Sequence, residues 1–258
     1  MSGMVMPRKI QGYGWKRDLP DHRDHLYSAP VQLVQSLPRL VDLRPECPPI
    51  FDQLSIGSCT ANALGAMDEF VMAKEKLHVF RPSRLFIYYN ERAMEGTTDQ
   101  DAGAMIRDGM QTLVQSGVCP ETEWPYDISK FTVKPDAACY TNAKKHHAIQ
   151  YSRVAQSLSQ MKACLASGYP FVFGFTVYES FESQDVAQTG LMPMPGSNEQ
   201  VLGGHAICCV GYDDSQQRFI IRNSWGTSWG LSGYFLMPYA YALDPNLASD
   251  FWTIRTTT

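Results

Sequence analysis

The sequence is missing several features, and each absence removes a class of function. No apolar run approaches the roughly 20 residues that a membrane helix needs; the most apolar stretch, Tyr169 to Tyr178, is interrupted by Gly174. No Lys/Arg cluster exceeds two adjacent residues, and the net charge is −4. Nucleic acid and anionic membrane are therefore excluded as partners. There is no Cys-x-x-Cys and no Asn-x-Ser/Thr. No apolar segment follows Met1, so no secretory signal is visible and the compartment stays open. Repeats and low-complexity tracts are also lacking.

What remains is an ordinary globular composition, 44% apolar and 19% charged over 258 residues. That length suits one large domain or two lobes. Seven cysteines, at 47, 59, 119, 139, 164, 208 and 209, are an odd number and leave at least one unpaired.

Residues 1–36 are punctuated by Gly12, Gly14, Pro20 and Pro30 and read as an extended arm. Its His22 and His25 lack a third ligand and read as part of a charged loop. Tyr13, Trp15 and Leu19 are its apolar anchors. They suit either a segment that covers a cleft and limits access or a stabilising belt. Residues 37–147 read as mainly helical, with helices after Cys59, from Ser83 to Met94, and from Ala104 to Ser116 ahead of Gly117. Residues 148–258 read as mainly strands: Phe171 to Tyr178, His205 to Tyr212, Arg218 to Arg222 and Gly233 to Met237. A helical half followed by a strand-rich half predicts an α+β chain with segregated lobes.

The chemistry begins in the stretch from Asp52 to Glu69. Cys59 stands where an amphipathic helix starts, and unpaired N–H groups and the dipole at that end favour thiolate over thiol. Gln53 carries an amide donor six residues earlier. A reactive thiol needs a base and an orienter for that base. His205 opens the apolar strand Gly203-Gly-His-Ala-Ile-Cys-Cys209, and Asn223 ends the returning strand. Each lies nine residues from Asp214, so a hairpin centred there sets them side by side. Trp225, with Trp229 behind it, then covers their bond.

Gln53 with Gly57-Ser58-Cys59, Gly204-His205-Ala206, and Asn223-Ser224-Trp225-Gly226 together resemble the papain family of cysteine peptidases. The resemblance runs from about Leu37 to Met237 and includes Gly117-Val118 and Trp124-Pro125-Tyr126. It implies a helical left lobe, a β-barrel right lobe and a cleft between them. It implies Cys59 as nucleophile, His205 as base and then acid, and Asn223 as the group orienting His205. The Gln53 amide and the Cys59 N–H become the oxyanion hole, with Trp225 in support. No metal and no cofactor is implied. Partners are a peptide or protein substrate and cystatin-like or epoxide inhibitors, acting on a monomer.

The departures from that family are Thr60 in place of an aromatic residue, no cysteine placed for the disulfide beside the nucleophile, a short arm where a long pro-region is usual, and Gly204 before the histidine. By the same resemblance Met105, Ile106, Gly174 and Ala206 line the main specificity pocket. Gly103, Ala104 and Met105 offer backbone bonds to an extended peptide, with Gly204 alongside. All are small or apolar, so the expected enzyme is an endopeptidase preferring a bulky hydrophobic residue two positions before the scissile bond. An exopeptidase, a transpeptidase or a non-catalytic binding protein on the same fold are the alternatives. Cys208 and Cys209, on opposite strand faces, read as core. Cys119 and Cys139 are free to pair with each other or with Cys47. His146 and His147 lie far from any position where paired histidines would act.

Overall fold

Two short segments of the N-terminal arm come first in the computed structural model, which describes residues 12–148 and 150–255. The first eleven residues of the arm lie outside the described residues. The arm contributes strand β1 (Trp15–Lys16) and helix α1 (Val31–Gln35), then β2 (Leu40–Asp42) follows. The helical half contains α2 (Cys59–Lys74), α3 (Arg84–Glu95), β3 (Ala104–Met105), α4 (Ile106–Gln115) and α5 (Ala137–Ala143). Beyond it come β4 (Gln150–Arg153), α6 (Leu158–Ala166), β5 (Phe171–Tyr178), α7 (Gln184–Thr189), β6 (Val201–Asp213), β7 (Arg218–Arg222), β8 (Tyr234–Pro238), α8 (Tyr239–Leu243) and β9 (Ala248–Arg255).

Helix α2 is the pivot between the halves. It is not the amphipathic helix its apolar spacing suggests: every residue from Cys59 to Met72 except Glu69 is buried. It packs on α3 and α4 on one side and on β5, β6 and β9 on the other, and small residues such as Ala61, Ala63, Gly65 and Ala66 let both neighbours approach. Helix α3 starts at Ser83, whose hydroxyl accepts from the Phe86 N–H, and stops at Gly96 with φ of 71°. Helix α4 begins later than the sequence suggests, because Ala104 and Met105 are drawn into a strand pairing with the arm. Its far end is turned at Gly117, where a Cβ would stand 2.0 Å from the Ala143 carbonyl oxygen.

The strand-rich half is a seven-stranded antiparallel sheet ordered β4-β9-β5-β6-β7-β8, with β2 added to β6. Residues 40–42 thus belong to this sheet by pairing, although they fall within the 37–147 stretch read as mainly helical. One face is filled by aromatic rings: Phe173 stacks on Phe251 with centroids 4.8 Å apart, and Phe171 meets Phe219 edge-on. Cys208 and Cys209 are both buried in this sheet.

The hairpin is offset from the symmetric one expected. Asp213 pairs with Arg218, and an irregularity between Cys209 and Gly211 leaves Cys208 opposite Arg222. The centre therefore lies beyond Asp214, and Asn223 stands just past the ladder rather than opposite His205. A bulge adds one residue to one strand and re-aims the side chains beyond it.

Candidate active site

Each polar side chain of the site is fixed by backbone from a different element. The segment before α2 runs against the one after β7: Gln53 N–H donates to the Ser224 carbonyl at 2.8 Å, and Gly226 N–H to the Phe51 carbonyl at 3.0 Å. This pairing sets Gln53 beside Asn223 and Ser224. The Gln53 side chain is fully buried; its Oε1 accepts from Ser224 Oγ at 2.7 Å and its Nε2 donates to the Ile56 carbonyl at 3.0 Å. One further Nε2 hydrogen remains for a ligand.

The Asn223 amide has a determined orientation. Its Oδ1 accepts from the Ser224 backbone N–H at 2.8 Å, which only an oxygen can do. The same oxygen lies 2.8 Å from His205 Nε2, so Nε2 carries the proton. In the neutral ring Nδ1 then bears the free lone pair, and it is buried with no hydrogen-bond partner. Trp225 covers the ring, with centroids 5.1 Å apart, and Trp229 packs edge-on behind Trp225 at 5.0 Å.

Cys59 is wholly buried at the first position of α2, and its Sγ accepts from the Ala206 N–H at 3.4 Å. This bond brings Cys59 and His205, carried by different halves of the chain, within one residue of each other. The thiol is pushed up to about 12, first by burial, while the N–H groups of Ala206, Gly14 and Thr60 pull the other way. The helix end does not outweigh desolvation here, so the thiolate expected from the sequence gives way to a thiol in this state. Burial likewise lowers His205 to about 4 against the opposing bond to Asn223. Both groups are thus neutral in this state, and no hydrogen bond joins Cys59 Sγ to His205 Nδ1.

The cause of that burial is the arm. Gly14 passes over Cys59 so closely that a Cβ there would stand 1.6 Å from the Gly57 carbonyl oxygen. Only glycine fits. The Gly14 carbonyl accepts from the Ala104 N–H at 2.7 Å, and β1 continues parallel to β3 with Trp15 beside Ala104 and Lys16 beside Met105. Of the three residues expected to bond a peptide, Ala104 gives its N–H to the arm, while the Gly103 N–H donates to the Tyr88 hydroxyl at 3.2 Å and the Met105 N–H to Glu95 Oε1 at 2.7 Å. Tyr13 sets its ring edge-on to His205 at 5.7 Å, and its hydroxyl donates to Glu182. The Trp15 indole fills the space over Gly174 and Gly204, where added Cβ atoms would meet it at 1.8 and 2.6 Å. Gly174 pairs with Ala206 in register, and Ile106 is buried nearby. Leu19, by contrast, is 69% exposed, and it holds the arm only through its carbonyl, which accepts from Arg107 Nη1 at 2.5 Å.

Beyond the cleft the arm is latched by charge. Asp18 accepts from the Arg107 N–H at 3.1 Å, Trp252 Nε1 at 2.7 Å and Arg153 at 3.1 Å. Asp24 pairs with both Arg107 and Arg153, at 2.6 and 2.9 Å. Burial, then Asp250, raises Asp18 to about 6.

Several supporting contacts carry no local signal in sequence. The Tyr126 hydroxyl donates to the Gln53 carbonyl at 2.9 Å and accepts from Ser58 Oγ at 2.5 Å. Thr60 donates to the fully buried Glu91 at 2.5 Å, under the start of α2. All seven cysteines are free thiols, so neither pairing considered for Cys119 and Cys139 is formed. His146 packs on Phe80 and His147 bonds the Val114 carbonyl; neither approaches Cys59.

Comparison with known proteins gives the family and the fold. The model of the papain family of cysteine proteases covers residues 37–250. An uncharacterized peptidase C1-like protein of Acanthamoeba polyphaga mimivirus is 43% identical over 96% of this chain and 88% of its own length. The crystal structure of xylellain, a cysteine protease from Xylella fastidiosa, is 46% identical, covers 98% of this chain and 100% of that one, and superposes with a TM-score of 0.91. Procathepsin B from Trypanosoma congolense, 18% identical over 95% of this chain and 87% of its own, shares the fold with a TM-score of 0.74. The chain belongs to the papain family of cysteine proteases and is a cysteine-type peptidase, a hydrolase with a helical lobe and a β lobe.

Proposed function

We propose that the chain is an endopeptidase held in a closed state by its own N-terminal arm, with Cys59 as nucleophile and His205 as the proton carrier. Once the arm leaves, water returns to both groups, so the thiol falls and the imidazole rises toward an ion pair. Cys59 gives its proton to His205 Nδ1, and the thiolate attacks the substrate carbonyl. The Cys59 N–H and the free Gln53 Nε2 hydrogen stabilise the oxyanion. His205 then protonates the leaving amine, and water, losing its proton to the same nitrogen, releases the acid from the acyl-thioenzyme. Asn223 keeps the proton on Nε2 throughout. The observation that carries this reading is the His205 tautomer: Nε2 committed to Asn223, Nδ1 left with a buried lone pair.

Trp15 supports a preference for bulky hydrophobic side chains two residues before the scissile bond, because an indole fits over Gly174 and Gly204. The polarity of the arm supports inhibition rather than cleavage. In a substrate the residue in that pocket precedes the bond at Cys59, whereas Trp15 follows Gly14. The epoxide E64 is bound by the bromelain protease of Ananas comosus in its solved structure, and the same reagent class is expected to label Cys59. The deciding experiment is hydrolysis of a peptide blocked at both ends with Phe or Leu at the penultimate position of the acyl part. Internal cleavage supports the endopeptidase; cleavage only of unblocked peptides identifies an exopeptidase, and a ligated product with added amine identifies a transpeptidase.

A further inference from the structure

Away from the cleft, Cys119, Glu123 and Cys139 converge: their two sulfurs and one carboxylate oxygen all lie within 4.8 Å of one another. We propose that these three residues form a site for a thiophilic divalent cation of the zinc class, with a solvent molecule as fourth ligand. Around a tetrahedral zinc with Zn–S near 2.3 Å and Zn–O near 2.1 Å, the ligand atoms stand roughly 3.5–3.8 Å apart. The observed separations are at most about an ångström wider than this, within reach of side-chain rotation.

The donor set and its surroundings both fit. Cys119 and Cys139 are buried, and Glu123 stands at the solvent side, leaving a route for the ion and for its fourth ligand. Two sulfurs and one oxygen suit a borderline-soft ion better than calcium or magnesium, which take oxygen ligands. The glutamate is already oriented by a neighbour: Asn142 Nδ2 donates to both carboxylate oxygens, at 3.1 and 3.0 Å. Each oxygen keeps a lone pair for the ion, and outer hydrogen bonds of this kind position metal ligands. Binding would release the two thiol protons to solvent and leave the protein otherwise unchanged in covalent structure.

The site would tie the 119–126 loop to α5. That loop ends in Tyr126, whose hydroxyl holds the Gln53 carbonyl and Ser58. The ion would therefore brace the segment behind the oxyanion donors without touching substrate.

The test uses the full chain carrying Cys59→Ala, which removes the competing thiol of the cleft. Under reducing conditions Co²⁺ is titrated, then displaced by Zn²⁺, following thiolate-to-cobalt charge-transfer absorption. One equivalent of tetrahedral cobalt, displaced by zinc and accompanied by a rise in Tm, is expected. The band should vanish in Cys139→Ser, and affinity should fall about tenfold or more in Glu123→Gln and in Asn142→Ala. Both of the latter keep the thiols and change only surface polar groups, so they remain informative if Cys139→Ser fails to fold. Absence of the band in the reduced protein overturns the proposal. So does a band that survives Cys139→Ser, or a Cys119–Cys139 disulfide that re-forms from the reduced protein despite excess zinc.

Discussion

Trp15→Ala should open the cleft. The indole is 7% exposed and sits on two glycines, so it acts as the apolar plug of the arm. Truncating a buried tryptophan costs about 3–5 kcal/mol. Against this, its Nε1–H is buried without a partner, and removing an unpaired buried donor returns about 1–3 kcal/mol. The net loss, about 2 kcal/mol, falls on the contact between arm and cleft rather than on the packing of either lobe. At 1.4 kcal/mol per decade this raises the open population about thirtyfold. The assay is the second-order rate of Cys59 modification by an epoxide, read by mass spectrometry, together with kcat/KM on a blocked Phe-containing peptide. Both should rise together by about that factor while Tm of the body changes little. Rates within twofold of the parent would refute the reasoning, because the arm would then be a belt that does not limit access.

Other perturbations probe the remaining parts. Gly174→Arg places a side chain where the Trp15 ring lies 1.8 Å from the Cβ position; it should both dislodge the arm and abolish cleavage after Phe- or Leu-containing sequences, and unchanged cleavage of those peptides contradicts the pocket assignment. Tyr126→Phe strands the Gln53 carbonyl and Ser58, so a stability loss of about 1–2 kcal/mol is expected by denaturant unfolding, with kcat falling more than KM rises. Asp18 is raised to about 6, chiefly by burial. A carboxyl whose folded value lies above its ordinary 3.8 contributes stability that is complete below the ordinary value and is lost as pH rises through the raised one. Thermal stability of the parent should therefore fall between about pH 4 and 6 more steeply than that of Asp18→Asn; parallel curves would contradict this.

The elements most legible in sequence were those with strict local grammar. Phe171 to Tyr178 and Arg218 to Arg222 are strands with the bounds their β-branched and aromatic runs suggest. Ser83 and Gly96 bracket α3 as cap chemistry requires. Long-range geometry was less legible. The irregularity at Cys209–Gly211 shifts the hairpin register, and no residue type announces it. Helix α2 carries apolar residues at helical spacing, yet small residues on its remaining faces let it be buried all round. The separation of Cys59, His205 and Asn223 along the chain did not hide them, because each sits in a short motif. The protonation state was hidden, because it depends on how the arm docks. Although Trp15 reads as an apolar anchor, nothing in the sequence shows that Gly14 passes over Cys59 or that the indole sits on Gly174 and Gly204. Tyr126 and Ser224 fall inside such motifs, but their bonds to the Gln53 segment join residues distant in sequence, and Glu91, the partner of Thr60, leaves no spacing to read.

The central claim is that Cys59 is the nucleophile and that the arm governs its access. Its most direct test is epoxide labelling of the full chain and of a chain lacking residues 1–16, each with and without Cys59→Ala. The account predicts a single adduct on Cys59, formed slowly in the full chain and rapidly in the truncated one, with peptidase activity lost in step and no adduct in Cys59→Ala. Peptide hydrolysis that persists in Cys59→Ala, or an adduct on another cysteine that tracks the loss of activity, would contradict it.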